Sequence, residues 1–142
     1  MTKVIVNSDQ VPERLSRNAM GIILIHAFVG WALCTASMVI SMATTTIDNA
    51  LIIHATGAPI IFTGISLVYF NRFNYTRPLW TAVFFVGFVI FMDFFVVSLL
   101  VLGNFEMFTS LLGTWIPFSL IFASTYITGT YTLKNKKSAS SV

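Results

Sequence analysis

Four long apolar runs dominate this chain and leave few folds open to it. They fall near residues 19–43, 50–70, 79–103 and 109–131, and each has about 20 residues or more, the length that crosses a bilayer as a helix. Lipid offers no partners to an exposed backbone, so a spanning segment of this length is a helix with its hydrogen bonds closed internally. The expected fold is an all-α membrane protein, a bundle of four transmembrane helices joined by short connections. Charge supports this reading. Only 9% of the 142 residues are charged, against roughly 25% in a soluble domain. So few charges cannot coat a surface that faces water.

The basic residues set the expected orientation. Lys3, Arg14 and Arg17 precede the first run, Arg72 and Arg77 lie between the second and third, and Lys134, Lys136 and Lys137 follow the fourth. All eight therefore fall on one side, and the opposite loops carry only Asp48 and Glu106. The positive-inside rule puts both termini and the middle loop in the cytoplasm, N-in/C-in across the plasma or inner membrane. Residues 1–18 form a cytoplasmic N-terminal tail, in which Pro12 is placed to start a short interfacial helix. Residues 19–133 form the transmembrane domain, and residues 134–142 a mobile basic tail. Tyr69, Tyr75, Trp80 and Tyr131 gather at the same boundary, as an interfacial aromatic belt does. The first run is too long for the core of a cleaved signal peptide, about 7–15 residues, and is expected to remain as a helix.

The third run contains VIFMDFFVV, in which Asp93 stands among Val, Ile, Phe and Met. A turn of about 100° per residue places Ala82, Val86, Val89, Val97 and Leu100 on the side of Asp93, with Phe84, Phe88, Phe91 and Phe95 opposite. The aromatic ridge then faces lipid or a partner, and the acid faces the bundle interior, where intramembrane charges are usually aimed. Other runs carry matching stripes. His26, Gly30, Cys34, Ser37 and Ser41 share a face of the first. His54, Gly57, Ala58 and Ile61 share one of the second. Ser110, Thr114, Pro117, Ile121, Thr125 and Thr128 share one of the fourth. Small and hydroxyl residues on one face serve close helix packing, and the same residues can line a polar path. Cys34, His26, Ser37, Thr114 and Thr125 are the candidates for either role.

Depth narrows the choice. At about 1.5 Å per residue, Asp93, His54 and Cys34 lie roughly 20, 24 and 22 Å from the cytoplasmic side, in one layer. His26 lies much nearer that side. Asp93 and His54 are thus expected to pair across the second and third helices. Such a pair in a low dielectric makes a proton- or ion-binding site, because histidine titrates near neutral pH. The competing reading is a hydrogen bond that ties two helices together. Pro59 and Pro117 lie inside the second and fourth runs. Each removes a backbone hydrogen bond, so each is a candidate hinge. Pro78 suits the first turn of the third helix. Trp31 and Trp115 lie within helices, and each indole N–H needs a partner or an interfacial depth.

Other chemistries find little support. His26 and His54 differ by roughly 13 Å in depth, too far for two axial ligands of one haem iron. Cys34, His54 and Asp93 are metal-ligand types without a spacing signature, so no metal and no cofactor is expected. No nucleophile elbow or phosphate loop is present, and the chain does not read as an enzyme. The lone cysteine forms no intrachain disulfide. The net charge of +3 reflects topology and anionic headgroups, and no nucleic acid partner is expected. The size and four-helix layout resemble those of small multidrug transporters. The acid those proteins require lies in their first helix, and the first run here holds none, so no residue role carries over. Two functions follow from the residues: a small ion- or proton-coupled transporter or permease for an ion or small molecule, and a non-catalytic membrane subunit or assembly factor. A haem- or metal-binding redox protein ranks third. A bundle this small, with a polar interior, is expected to act as a homo-oligomer in the lipid bilayer.

Overall fold

A computed structural model describes residues 17–140. Residues 1–16, with the helix expected at Pro12, lie outside these residues, and Arg17 and Asn18 of the expected tail belong to the first helix. The described chain is helical throughout its four apolar runs and contains no strand. Helix α1 covers Arg17–Thr44 and α2 covers Ile47–Arg72. Helix α3 covers Pro78–Met92 and passes directly into a π-helical segment, Asp93–Leu102. A short 3₁₀ turn, Glu106–Thr109, and a π-helical turn, Leu111–Trp115, lead into α4, Ile116–Ala139. Among the described residues four stretches are long and apolar enough to cross a membrane: Arg17–Thr44, Ile47–Arg72, Pro78–Leu100 and Leu111–Ala139.

Local sequence accounts for several boundaries. Pro78 occupies the first turn of α3, with Arg77 as the capping residue. Its missing N–H is one that the first turn leaves unpaired in any case. Gly103 ends the π segment at φ 65°, a left-handed conformation that glycine adopts without a Cβ clash. Ser110 caps the π-helical turn, its hydroxyl accepting from the Gly113 amide at 3.0 Å. The two internal prolines behave differently. Pro59 leaves α2 continuous, and Thr63 donates to the Pro59 carbonyl at 2.7 Å. Pro117 sits at the start of α4, where π geometry gives way to α. The expected tail at 134–142 is instead helical as far as Ala139. Lys136 holds that end in place, donating to the carbonyls of Phe70 and Asn71 at 2.8 and 2.9 Å. A cation there satisfies carbonyls that the last turn of α2 leaves open, and it complements the helix dipole.

The helices are ordered α1, α2, α4, α3 around the bundle. Since the chain alternates direction, α1 runs parallel to its neighbour α3, and α2 parallel to its neighbour α4. Helices α2 and α3 follow one another in sequence yet stand on a diagonal. The connection at 73–77 crosses the basic end of the bundle to join them. Five residues reach about 17 Å, enough for the diagonal of helices packed roughly 10 Å apart. Asn74 turns the chain there at φ 48°. A hydroxyl relay pins the crossing to the core. Tyr69 and Thr76 hydroxyls lie 2.9 Å apart, Thr76 and Thr81 hydroxyls 2.7 Å, and Thr81 donates to the Arg77 carbonyl at 3.1 Å. One proton per hydroxyl makes Tyr69 the first donor in the relay. Tyr69 is therefore a fully buried anchor, not a member of the aromatic belt; Tyr75, Trp80 and Tyr131 are exposed.

Phenylalanine rings from α2 fill the space between helices. Phe62 and Phe70 are completely buried and rest on glycines of the flanking helices. A Cβ at Gly30 would come within 2.7 Å of the Phe62 ring, and one at Gly129 within 2.6 Å of the Phe70 ring. Phe85 of α3 joins them at the centre, 5.7 Å from Phe62 and 6.2 Å from Tyr69 between ring centroids.

Candidate functional site

Asp93 is the last helix cap of α3 and the first residue of the π segment. Its carboxylate Oδ1 accepts a hydrogen bond of 2.9 Å from Trp31 Nε1 on α1. The register explains the meeting. Trp31 is fourteen residues past Arg17 and Asp93 fifteen past Pro78, so both stand roughly 21–23 Å from the ends where their helices begin. Parallel neighbours that begin on one side bring residues of equal count to equal height. Trp31 is the one hydrogen-bond partner of Asp93 among the described residues, and no cation neutralises it there.

The expected direct pair of Asp93 with His54 is not formed. Neither a hydrogen bond nor an ion pair joins them. The cause is the helix order: α2 and α3 are diagonal, and α1 packs against both. His54 lies instead against the Cys34 backbone carbonyl, and its Nδ1 is buried without a hydrogen-bond partner. Ser37 donates to the same Cys34 carbonyl at 2.7 Å. The Cys34 side chain is buried and lies within electrostatic range of Asp93. The shared layer of Cys34, His54 and Asp93 is thus present, organised by α1 as the intermediary.

The phase of the third helix also departs from expectation. Ala82 and Val89 are buried and Phe91 and Phe95 exposed, as an α-helical turn requires, but Phe84 and Phe88 of the expected outer ridge are half-buried against the core. Leu100, placed by that turn on the side of Asp93, is 80% exposed. Ser98 is fully buried in its stead, five residues after Asp93. Five is the hydrogen-bond step of a π-helix, so the inward face shifts once the geometry changes at Asp93. The Ser98 hydroxyl is buried without a hydrogen-bond partner.

The remaining candidates are dispersed. Thr114 is buried in the π-helical turn before α4. Thr125 is fully buried deeper in α4, its hydroxyl unpartnered, as is that of Ser66 on α2. His26 belongs to the basic end. Its Nδ1 lies 2.7 Å from the Ile22 carbonyl, and its ring meets those of Tyr69 and Phe73 edge-on at 5.6 and 5.3 Å. His26 and His54 are not brought together. Among the described residues no three of His, Cys, Asp and Glu gather into a metal-binding group.

Trp31 completes the site and was foreshadowed by its unmet N–H. Trp115 meets the same need differently, donating to the Phe108 carbonyl at 3.1 Å. Many hydroxyls in the bundle serve their own helix. Thr56, Ser119 and Thr130 each donate to a carbonyl four residues back, at 2.9 Å. That habit removes them as path residues and lets them face lipid without a bare O–H.

Comparison with protein-family models, with curated protein sequences and with solved structures finds no match. The four apolar helices make this a chain built like a multi-pass membrane protein.

Proposed function

We propose that the protein is a small ion- or proton-coupled transporter of the cytoplasmic membrane, with both termini inside and Asp93 as the group that takes up and releases a proton or cation. The observation that carries this reading is the setting of Asp93: an acid well inside an apolar helix long enough to span a membrane, with a tryptophan N–H as its hydrogen-bond partner and no counter-charge among the described residues. Intramembrane acids of this kind are rare, expensive and usually functional. The change from α to π geometry at the same residue supports it, because π segments in helices often mark functional positions. In this reading Trp31 holds the ionised carboxylate, and the unpartnered Nδ1 of His54 offers a second proton acceptor in the same layer. Pro59 and Pro117 supply flexibility, and a second copy of the chain completes the assembly.

One observation favours a second reading. The Trp31–Asp93 bond ties α1 to α3, and a non-catalytic membrane subunit would need such a tie without any ion traffic. Asp93→Asn separates the two readings, since the amide oxygen still accepts from the indole while the charge is gone. The protein is reconstituted in liposomes holding a pH-sensitive dye and given a pH step or a membrane potential. Transport predicts that wild type conducts protons and that Asp93→Asn does not, with unchanged thermal melting. A variant that conducts as wild type does would overturn the role of Asp93, and a silent wild type would favour the subunit.

A further inference from the structure

At the basic end a groove of about 440 Å³ opens between the start of α3 and the last turns of α4. Arg77, Lys134 and Lys137 line it together with Leu79, Leu133 and Tyr126. We propose that this groove is a binding site for one anionic phospholipid, its phosphate held by the three cations and an acyl chain laid along the apolar wall. The inference is independent of the reading of Asp93 and needs only that the four helices lie in a membrane.

Three observations support it. The first is the division of the tail lysines. Lys136 is turned to the other side of α4 and spent on the carbonyls of Phe70 and Asn71. The ammonium groups of Lys134 and Lys137 have no hydrogen-bond or ion-pair partner among the described residues, and both residues line the groove. The second is that no described acid stands beside the two lysines. The acids of the described chain are Asp48, Asp93 and Glu106, none of them at this end of the bundle. Pro78 lines the groove at the first turn of α3, so the positive end of that helix dipole adds to the field. The third is the gradient along α4. Lys137, Lys134, Leu133, Thr130 and Tyr126 follow one another into the membrane, the Thr130 hydroxyl spent on the Tyr126 carbonyl of its own helix, and Tyr126 lies roughly 16 Å from Lys137 along the axis. Polarity therefore falls with depth, as it does along a phospholipid. A soluble phosphate would use the basic rim alone and leave the apolar wall without a purpose.

The test is native mass spectrometry of the full-length protein released from detergent containing equal amounts of phosphatidylglycerol and phosphatidylcholine. Wild type is expected to retain phosphatidylglycerol preferentially. Lys134→Gln/Lys137→Gln should weaken that retention by about twentyfold, from a contribution of several-fold per basic residue at a membrane surface. Arg77→Gln should weaken it several-fold. Lys134→Arg/Lys137→Arg should restore it, and Arg72→Gln, a charge at the same end outside the groove, should leave it unchanged. Equal losses in Arg72→Gln and in the lysine variant would overturn the site in favour of diffuse attraction. Equal retention of both lipids by wild type would overturn it outright. Displacement of the lipid by millimolar inorganic phosphate would reassign the groove to a soluble anion.

Discussion

The bond from Trp31 to Asp93 joins two residues 62 positions apart, and each solves a problem for the other. An indole N–H in lipid requires an acceptor, and a carboxylate in lipid requires a donor. Trp31→Phe keeps most of the ring volume and removes only the donor, leaving the acid without its hydrogen-bond partner. It should lower the stability of the detergent-solubilised protein by about 1–2 kcal/mol. Asp93→Asn should change stability by less, because the amide oxygen remains an acceptor. Melting curves of the two single variants and of the double variant form a cycle. Additive losses would show that the two side chains are not coupled. Half of this pair was legible in the sequence. The need of Trp31 for a partner and the inward aim of Asp93 could both be read from residue type and position. The pairing itself could not, because hydropathy carries no information on which helix lies beside which. By chemistry and depth His54 is the obvious partner, and the helix order sets it apart from Asp93.

At the scale of the elements, close approach is set by glycine against phenylalanine. Gly30 receives Phe62 and Gly129 receives Phe70, and both rings are fully buried and cannot yield. Gly64 has open space where a Cβ would project. Gly129→Ala should therefore cost about 1–3 kcal/mol through overpacking. Gly64→Ala should be neutral or stabilising by up to about 1 kcal/mol, since alanine is the better helix former. Thermal melting of both variants checks the contrast, and equal effects would refute the packing account. The helices themselves were legible from length and hydropathy, with ends within a few residues except in α4. There the hydropathy of a polar tail concealed a helix that continues because Lys136 gains two carbonyl partners. The π segments were illegible for a different reason. A wheel drawn at 100° per residue presumes the geometry it is meant to reveal, and it exchanged Ser98 for Leu100 on the inner face.

For the whole molecule, the positive-inside rule makes a statement about sides that solution chemistry can check. Glu106→Cys and Ser138→Cys place thiols at opposite ends of the bundle, both at exposed positions. In intact cells a membrane-impermeant maleimide should label the first and reach the second only after permeabilisation. The native Cys34 is buried and serves as the unlabelled background. Labelling of Ser138→Cys in intact cells would invert the orientation and with it the leaflet that the basic groove faces.

The diagonal step from α2 to α3 also bears on how the chain is made. Segments leave the ribosome in order, and a nascent hairpin of neighbouring helices would ordinarily lock as it enters the bilayer. Here the second and third segments are delivered one after the other but meet chiefly at the centre of the bundle, where Phe85 rests against Phe62 and Tyr69. Each finds its contacts on α1, emitted earlier, and on α4, emitted last. Until synthesis is nearly complete, the buried faces of α2 and α3 remain open on one flank. The final helix acts as a wedge that closes the assembly, so a transcript cut short after the third segment yields a product that the membrane can accept but the fold cannot.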